Sequence, residues 1–206
     1  MVPADLLDRL TAIDTPTICN ALEVLAPDRR TTGFNRLPLV CPFPAMKPIV
    51  GYARTATIRS RQANPVKDQR AIRIAYYEYV EKGPRPSIVL IQDLDGVERG
   101  LGAFWGEVQT NIHRALGCAG VVTDGSIRDI DQMAKGFFVL AGSIMPSHVH
   151  ADRHGAAVIP AEVAAAIPET VDLLVRREKV ILDACARPGF STADIRAAFS
   201  AMSEIH

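Results

Sequence analysis

Net charge is the first thing this chain lacks: 23 basic residues balance 23 acidic ones among its 206 residues. Such a balance supplies no electrostatic footprint for nucleic acid and no basic face for an anionic membrane. No run of 18 apolar residues occurs, so no membrane-spanning helix is expected. The opening MVPADLLDRL carries acids early and has no apolar stretch of signal-peptide type. Cysteine is sparse and scattered, at Cys19, Cys41, Cys118 and Cys185, with no C-x-x-C pair. That usage suits reduced, mostly buried thiols in a cytoplasmic protein. The sequence also has no G-x-S-x-G, no S-x-x-K and no Walker lysine, which removes the commonest nucleophile and nucleotide-phosphate motifs.

What remains is a 48% hydrophobic chain of a length that fits one domain, residues 1–206, with 160–206 as a helical C-terminal extension. DTPTICNALEVL places Asp14 or Thr15 as an N-cap with Pro16 near the first helical position. Residues 26–48 are proline-rich and read as loop with at most one brief strand. A strand is expected over 49–60 with a bend at Gly51, a helix over 67–83, and a buried strand over 87–96 ending in Asp-Gly. Val108, Ile112, Ala115 and Leu116 recur at i, i+4, i+7 and i+8, the signature of an amphipathic helix running to about Gly117. AGVVTDG reads as the next strand, RDIDQMAKG as a short helix and FFVLAGSIM as one or two strands. Ser191 and Asp194 have capping-box-like spacing at the start of the last helix. Strand, loop, helix, strand, helix across 87–135 is a βαβ unit, which predicts a mixed α/β protein with parallel pairing at its centre.

Three stretches carry candidate chemistry. In GLGAFWGE, the residues Gly100, Gly102 and Gly106 miss the dinucleotide spacing G-x-G-x-x-G. A glycine-bearing turn feeding a helix nevertheless exposes unpaired N–H groups beside a positive dipole end, a place for a carboxylate or phosphate. The plain alternative is a tight connection. Beside Phe104, Trp105 suits either a pocket wall or core packing. Parallel geometry brings Arg128 and Asp129, just past the 119–123 strand, close to that loop, and ligands gather at such strand ends. Arg128 offers a planar fork to a carboxylate and Asp129 a hard oxygen to a divalent cation. Read singly, Arg128 is as well explained by a surface ion pair and Asp129 by a helix-start acid. HVHADRHG (148–155) approaches a metallohydrolase signature, but Asp152, Arg153, His154 and Gly155 make a good turn, and hairpin residues explain it better than metal ligands.

GAFWGE followed by GCAGVVTDGSIRDID resembles the class II pyruvate aldolases, the family of 4-hydroxy-4-methyl-2-oxoglutarate aldolase, whose fold the regulators of ribonuclease E activity share. The family's pattern of an acid, twenty residues, then Arg-Asp is matched by Glu107, Arg128 and Asp129. The similarity extends to DTPTICNALE, VHADRHGAAVIP and REKVILDACARPGFSTADIRAAF. It implies a swivelling β/β/α fold of the phosphohistidine-domain type, with a central mixed sheet and C-terminal helices, assembled as a homotrimer or a dimer of trimers. It further implies that Asp129 binds Mg²⁺ or Mn²⁺ and that Glu107 holds water of the ion's shell. Arg128 and the backbone of Gly102, Ala103, Phe104, Trp105 and Gly106 would grip the pyruvyl end of a 2-oxo acid. Glu178 is the candidate for an acid donated by a neighbouring subunit. The implied activity is aldol cleavage of a 4-hydroxy-2-oxo acid to pyruvate, with oxaloacetate decarboxylation as a companion. The rival reading from the same family is a non-catalytic, protein-binding regulator of ribonuclease activity. A methyltransferase finds no support in these residues.

Overall fold

Alternation gives 52–58 a half-buried side and an exposed side and 87–93 a buried side and a more open one, and parallel pairing joins them into a sheet. The computed structural model describes residues 3–61, 68–145 and 166–205. The strands β1 (Tyr52–Ile58), β2 (Ser87–Asp93), β3 (Cys118–Thr123) and β5 (Phe138–Leu140) form a four-stranded sheet in the order β1-β2-β3-β5. Every neighbouring pair in it runs parallel. The short β4 (Ser126–Ile127) and β6 (Ser143–Ile144) pair separately, also parallel. Among the described residues, the antiparallel part of the expected mixed sheet is confined to one bridge between Val40 and Ala141.

Six α-helices accompany the strands among the described residues: α1 (Ala4–Thr11), α2 (Thr15–Leu25), α3 (Gln69–Glu81), α4 (Glu107–Ala115), α5 (Ile167–Cys185) and α6 (Thr192–Ser203), with three short 3-10 turns between elements. The expected start of α2 is realised, with Asp14 accepting the Thr17 N–H at 3.0 Å. The Ser191 N–H and hydroxyl both donate to Asp194, at 3.0 and 2.9 Å, and open α6 as its spacing predicts. Glu81 then accepts the Thr192 N–H at 3.0 Å, which ties the start of α6 to the end of α3. No helix among the described residues is long and apolar enough to cross a membrane.

Two expectations change. RDIDQMAKG forms only a single 3-10 turn, Ile130–Gln132, because Asp129 adopts the left-handed conformation (φ 54°, ψ 42°) where a helix would have begun. The histidine-rich stretch 148–155 and the beginning of the 160–206 segment lie outside the described residues.

The core sits between the sheet and α3, α4, α5 and α6. Val89, Val121 and Val139 come from the strands, and Tyr77, Ile112, Ile195 and Trp105 from the helices and the loop before α4. His113, on α4, is fully buried among them. Its Nδ1 lies 2.7 Å from the Gln109 carbonyl, an acceptor only, so Nδ1 carries the proton and Nε2 accepts from the Tyr76 hydroxyl at 2.7 Å. Burial lowers its pKa to about 4, against roughly 6.5 when unfolded.

The sign of the linkage follows. The unfolded chain takes up the proton first, so stability is present above about pH 6.5 and is lost as pH falls toward 4. Urea unfolding should show a loss of about 2 kcal/mol between pH 6.5 and 5, a loss absent from His113→Gln. An equal pH dependence in the variant would contradict the buried, neutral imidazole.

Candidate active site

The register of β2 against β3, with Leu90 opposite Val122 and Ile91 opposite Thr123, sets their carboxyl ends side by side. The loop after β2 and the segment after β3 therefore meet, as parallel geometry requires. They are joined directly: the Arg128 N–H donates to the Trp105 carbonyl at 2.9 Å, and Trp105 forms a parallel bridge with Ile127. The Trp105 indole is buried, at 4.5 Å from the His113 ring and stacked on Phe137 at 6.2 Å. Trp105 thus packs in the core and holds the loop down.

Gly106 is extended (φ −158°) and leads into α4, so the Glu107 N–H is one of the helix's orphan donors. Asp129 Oδ2 accepts it at 3.4 Å, a long contact. The same oxygen lies 3.8 Å from Arg128 Nε, which is an ion pair but too long for a hydrogen bond. The structure thus brings Glu107, Arg128 and Asp129 together. Arg128 Nε is buried with no hydrogen-bond partner among the described residues, although the side chain as a whole is 40% exposed. A buried donor of that kind is costly unless a ligand oxygen meets it.

Gly106 is needed for contact. A Cβ there would stand 2.4 Å from Asp129 Oδ2 and 3.1 Å from Arg128 Cγ. Gly102 plays a parallel part lower in the loop, where a Cβ would meet the Ser60 carbonyl at 2.4 Å. Phe104 stands edge-on to Trp105, with ring centroids 5.5 Å apart, and Ala103 is buried.

Glu107 is held above the usual carboxylate range, first by burial, then by the charges of Glu178 and Asp129. Glu178, assigned by resemblance to a neighbouring subunit's site, here lies on α5 close enough to act on Glu107 of its own chain. Among the described residues no three His, Cys, Asp or Glu side chains converge as a ready metal cage. Mg²⁺ does not require one: it binds through one or two carboxylates and fills its octahedron with water and substrate oxygens. Asp129 and Glu107 are hard oxygen donors of that type, and their mutual repulsion is what a divalent cation would relieve.

A testable consequence is a stability gain without the charge. A raised folded pKa means wild type is fully favoured at low pH and loses stability as pH rises through that pKa. Without divalent cations, Glu107→Gln should therefore melt above wild type at pH 7 and close to it at pH 4. A lower melting temperature at pH 7 would show that the acids are not in conflict.

Sequence reasoning passed over Asp93 within the 87–96 strand, and over Asp124 as part of the Asp-Gly that ends the next. Asp93, 4% exposed, accepts the Gly100 N–H at 2.9 Å, the Ser60 hydroxyl at 3.3 Å and the Asp95 N–H at 3.0 Å. A cavity of about 930 Å³ opens elsewhere, on the sheet face away from the core, lined by residues such as Leu37, Thr55, Leu90 and Gln92. It contains none of Glu107, Arg128 and Asp129, and its one carboxylate, Asp124, is paired with Arg99 at 2.9 Å.

The chain is thus a parallel α/β protein with C-terminal helices that brings two acids and an arginine together where two strand ends meet. The chain belongs to the RraA-like family, Aldolase/RraA, whose model matches residues 15–181. That family contains aldolases and also non-catalytic ribonuclease regulators. No curated protein sequence matches the chain. Among solved structures, it is similar to one described as from novel cellulases of microbes associated with the gut ecosystem, at 14% identity and TM-score 0.50, covering 87% of each chain. An uncharacterized protein from Pseudomonas syringae pv. tomato aligns over 95% of this chain and 94% of its own, with 22% identity and TM-score 0.49. Streptomyces coelicolor RraAS2, described as an unusual member of the RNase ES inhibitor RraA family, aligns over 86% and 96%, with 19% identity and TM-score 0.44. Of these, the likeness at TM-score 0.50 bears on fold alone.

Proposed function

We propose that this protein is a divalent-metal-dependent lyase that cleaves a 4-hydroxy-2-oxo acid to pyruvate and also decarboxylates oxaloacetate. The observation that carries the reading is the meeting of Glu107, Asp129 and Arg128 at one strand end, with the buried Arg128 Nε short of a hydrogen bond. A surface used only for binding a protein has no need of acids set against one another.

Asp129 and Glu107 would hold Mg²⁺ or Mn²⁺, which when bound supplies Lewis-acid polarisation of the substrate's C2 carbonyl. Arg128 meets the C1 carboxylate with its guanidinium, supplying the oxygen partner its Nε lacks. The 102–106 backbone lies against the same end of the substrate, where its N–H groups favour charge developing on the C2 oxygen as the C3–C4 bond breaks. Glu107 is placed to take the C4 hydroxyl proton through an intervening water. Loss of CO₂ from oxaloacetate leads to the same enolate, so the two activities belong to one site. Glu178, beside Glu107, tunes its charge.

Leu94, Val97 and Leu101 on the loop after β2 are exposed, Val97 fully. Such a patch beside the site suits burial against a second copy, in keeping with a trimer or a dimer of trimers.

The test is pyruvate release from oxaloacetate and from 4-hydroxy-2-oxo acids, with Mg²⁺ or Mn²⁺ and with a chelator. Turnover that the chelator abolishes is expected. No turnover of either substrate class with metal present would overturn the lyase reading and leave the regulator branch of the family.

A further inference from the structure

The candidate site has two halves on different segments: the 102–106 loop with Glu107 after β2, and Arg128-Asp129 after β3. The β2–β3 ladder ends at Ile91 opposite Thr123, and backbone contact between the halves resumes only at the Trp105–Ile127 bridge, where the Arg128 N–H donates to the Trp105 carbonyl. Between those two points side chains hold the loop. The Asp93 N–H donates to Asp124 Oδ1 at 2.7 Å, and Asp124 Oδ2 pairs with Arg99 at 2.9 Å. One carboxylate therefore grips the end of β2 with one oxygen and the outgoing loop with the other. The buried Asp93 carboxylate gathers the same loop from within through the Gly100 and Asp95 N–H groups, and reaches the Ser60 hydroxyl at the end of β1. Arg99 precedes Gly102 by three residues and Asp124 precedes Arg128 by four.

We propose that Asp124 is a positioning residue: by bridging the Asp93 amide and the Arg99 guanidinium, it holds the 94–101 stretch that delivers the substrate-gripping loop to the Arg128-Asp129 pair. Its effect is geometric, since its hydrogen bonds go to Asp93 and Arg99 rather than to Glu107 or Asp129. Displacing one half by about 1 Å is enough to cost about a hundredfold in a site of this kind. The ligand arm of this inference rests on the 2-oxo acid reading; the loop arm does not.

The test compares wild type, Asp124→Asn, Asp124→Ala and Arg99→Ala. Amide hydrogen exchange is read by peptide over 94–106, and pyruvate binding with Mg²⁺ is read by calorimetry. Asp124→Asn keeps the oxygen that accepts from Asp93 and loses the pairing with Arg99, so it should fall between wild type and Asp124→Ala. Exchange in 94–106 should quicken in that order, and the pyruvate Kd should rise about 10- to 100-fold with the number of sites unchanged. Arg99→Ala should match Asp124→Asn, which keeps the test open if Asp124→Ala does not fold. Unchanged exchange in 94–106 would overturn the proposal, as would fewer binding sites at an unchanged Kd, the mark of a merely structural anchor. If wild type binds no pyruvate, the 2-oxo acid reading falls, and the exchange comparison alone decides the positioning role.

Discussion

Asp129→Asn is expected to lower kcat/KM for pyruvate release by about a thousandfold, close to 4 kcal/mol of barrier. The substitution isolates charge from shape. Asp129 is the one non-glycine residue at positive φ among the described residues, and Asn is the side chain that tolerates that region most nearly as well. The backbone that carries Arg128 should therefore stay in place while the anionic oxygen facing Glu107 and Arg128 is lost. Asp129→Ala should show the same loss of turnover and in addition a lower stability, by roughly 1 kcal/mol, for the left-handed backbone. Turnover near the wild-type level in Asp129→Asn would refute the assignment of this residue.

The second large effect concerns a residue with no side chain. At Gly106 the backbone is extended and accommodates alanine without strain, so any consequence comes from the methyl group itself. That methyl would be built 2.4 Å from Asp129 Oδ2 and 3.1 Å from Arg128 Cγ, distances that force the pair to move. Gly106→Ala should therefore lose about a hundredfold in kcat/KM, with a thermal midpoint within a few degrees of wild type. The contrast is Gly102→Ala, whose methyl would meet the Ser60 backbone rather than a movable side chain and should cost stability instead. A Gly106→Ala enzyme of full activity would mean that the closeness of Asp129 to the helix start is incidental.

The central βαβ unit was legible because its signals are local: an apolar run ending in Asp-Gly, a helix with Val108, Ile112, Ala115 and Leu116 on one face, and a second valine-rich run. The caps at Asp14 and Ser191 were legible for the same reason, since each partner sits three residues away. The 3-10 turn in place of a helix after Asp129 was not, because its cause is tertiary: Asp129 turns left-handed where it lies against Gly106 and Glu107. A strand of two residues such as β4 leaves no periodic pattern to read. The meeting of Glu107 with Arg128-Asp129 followed from strand order and was reinforced by family resemblance. The links through Asp93 and Asp124 followed from neither, because an aspartate at a strand end looks the same in sequence whether its carboxylate faces water or holds a neighbouring strand end. Nor could sequence spacing show that Glu178, a helix away, shares a charge environment with Glu107.

Formation of the pyruvate enolate is the step common to every substrate considered, whatever group C4 carries. The most direct measurement is loss of the pyruvate methyl signal by proton NMR in D₂O, with wild-type protein and Mg²⁺ or Mn²⁺. The signal should wash out far faster than with metal alone, and the acceleration should vanish with chelator and in Asp129→Asn. A methyl signal that decays no faster with protein than with buffer and metal would contradict the account at its centre.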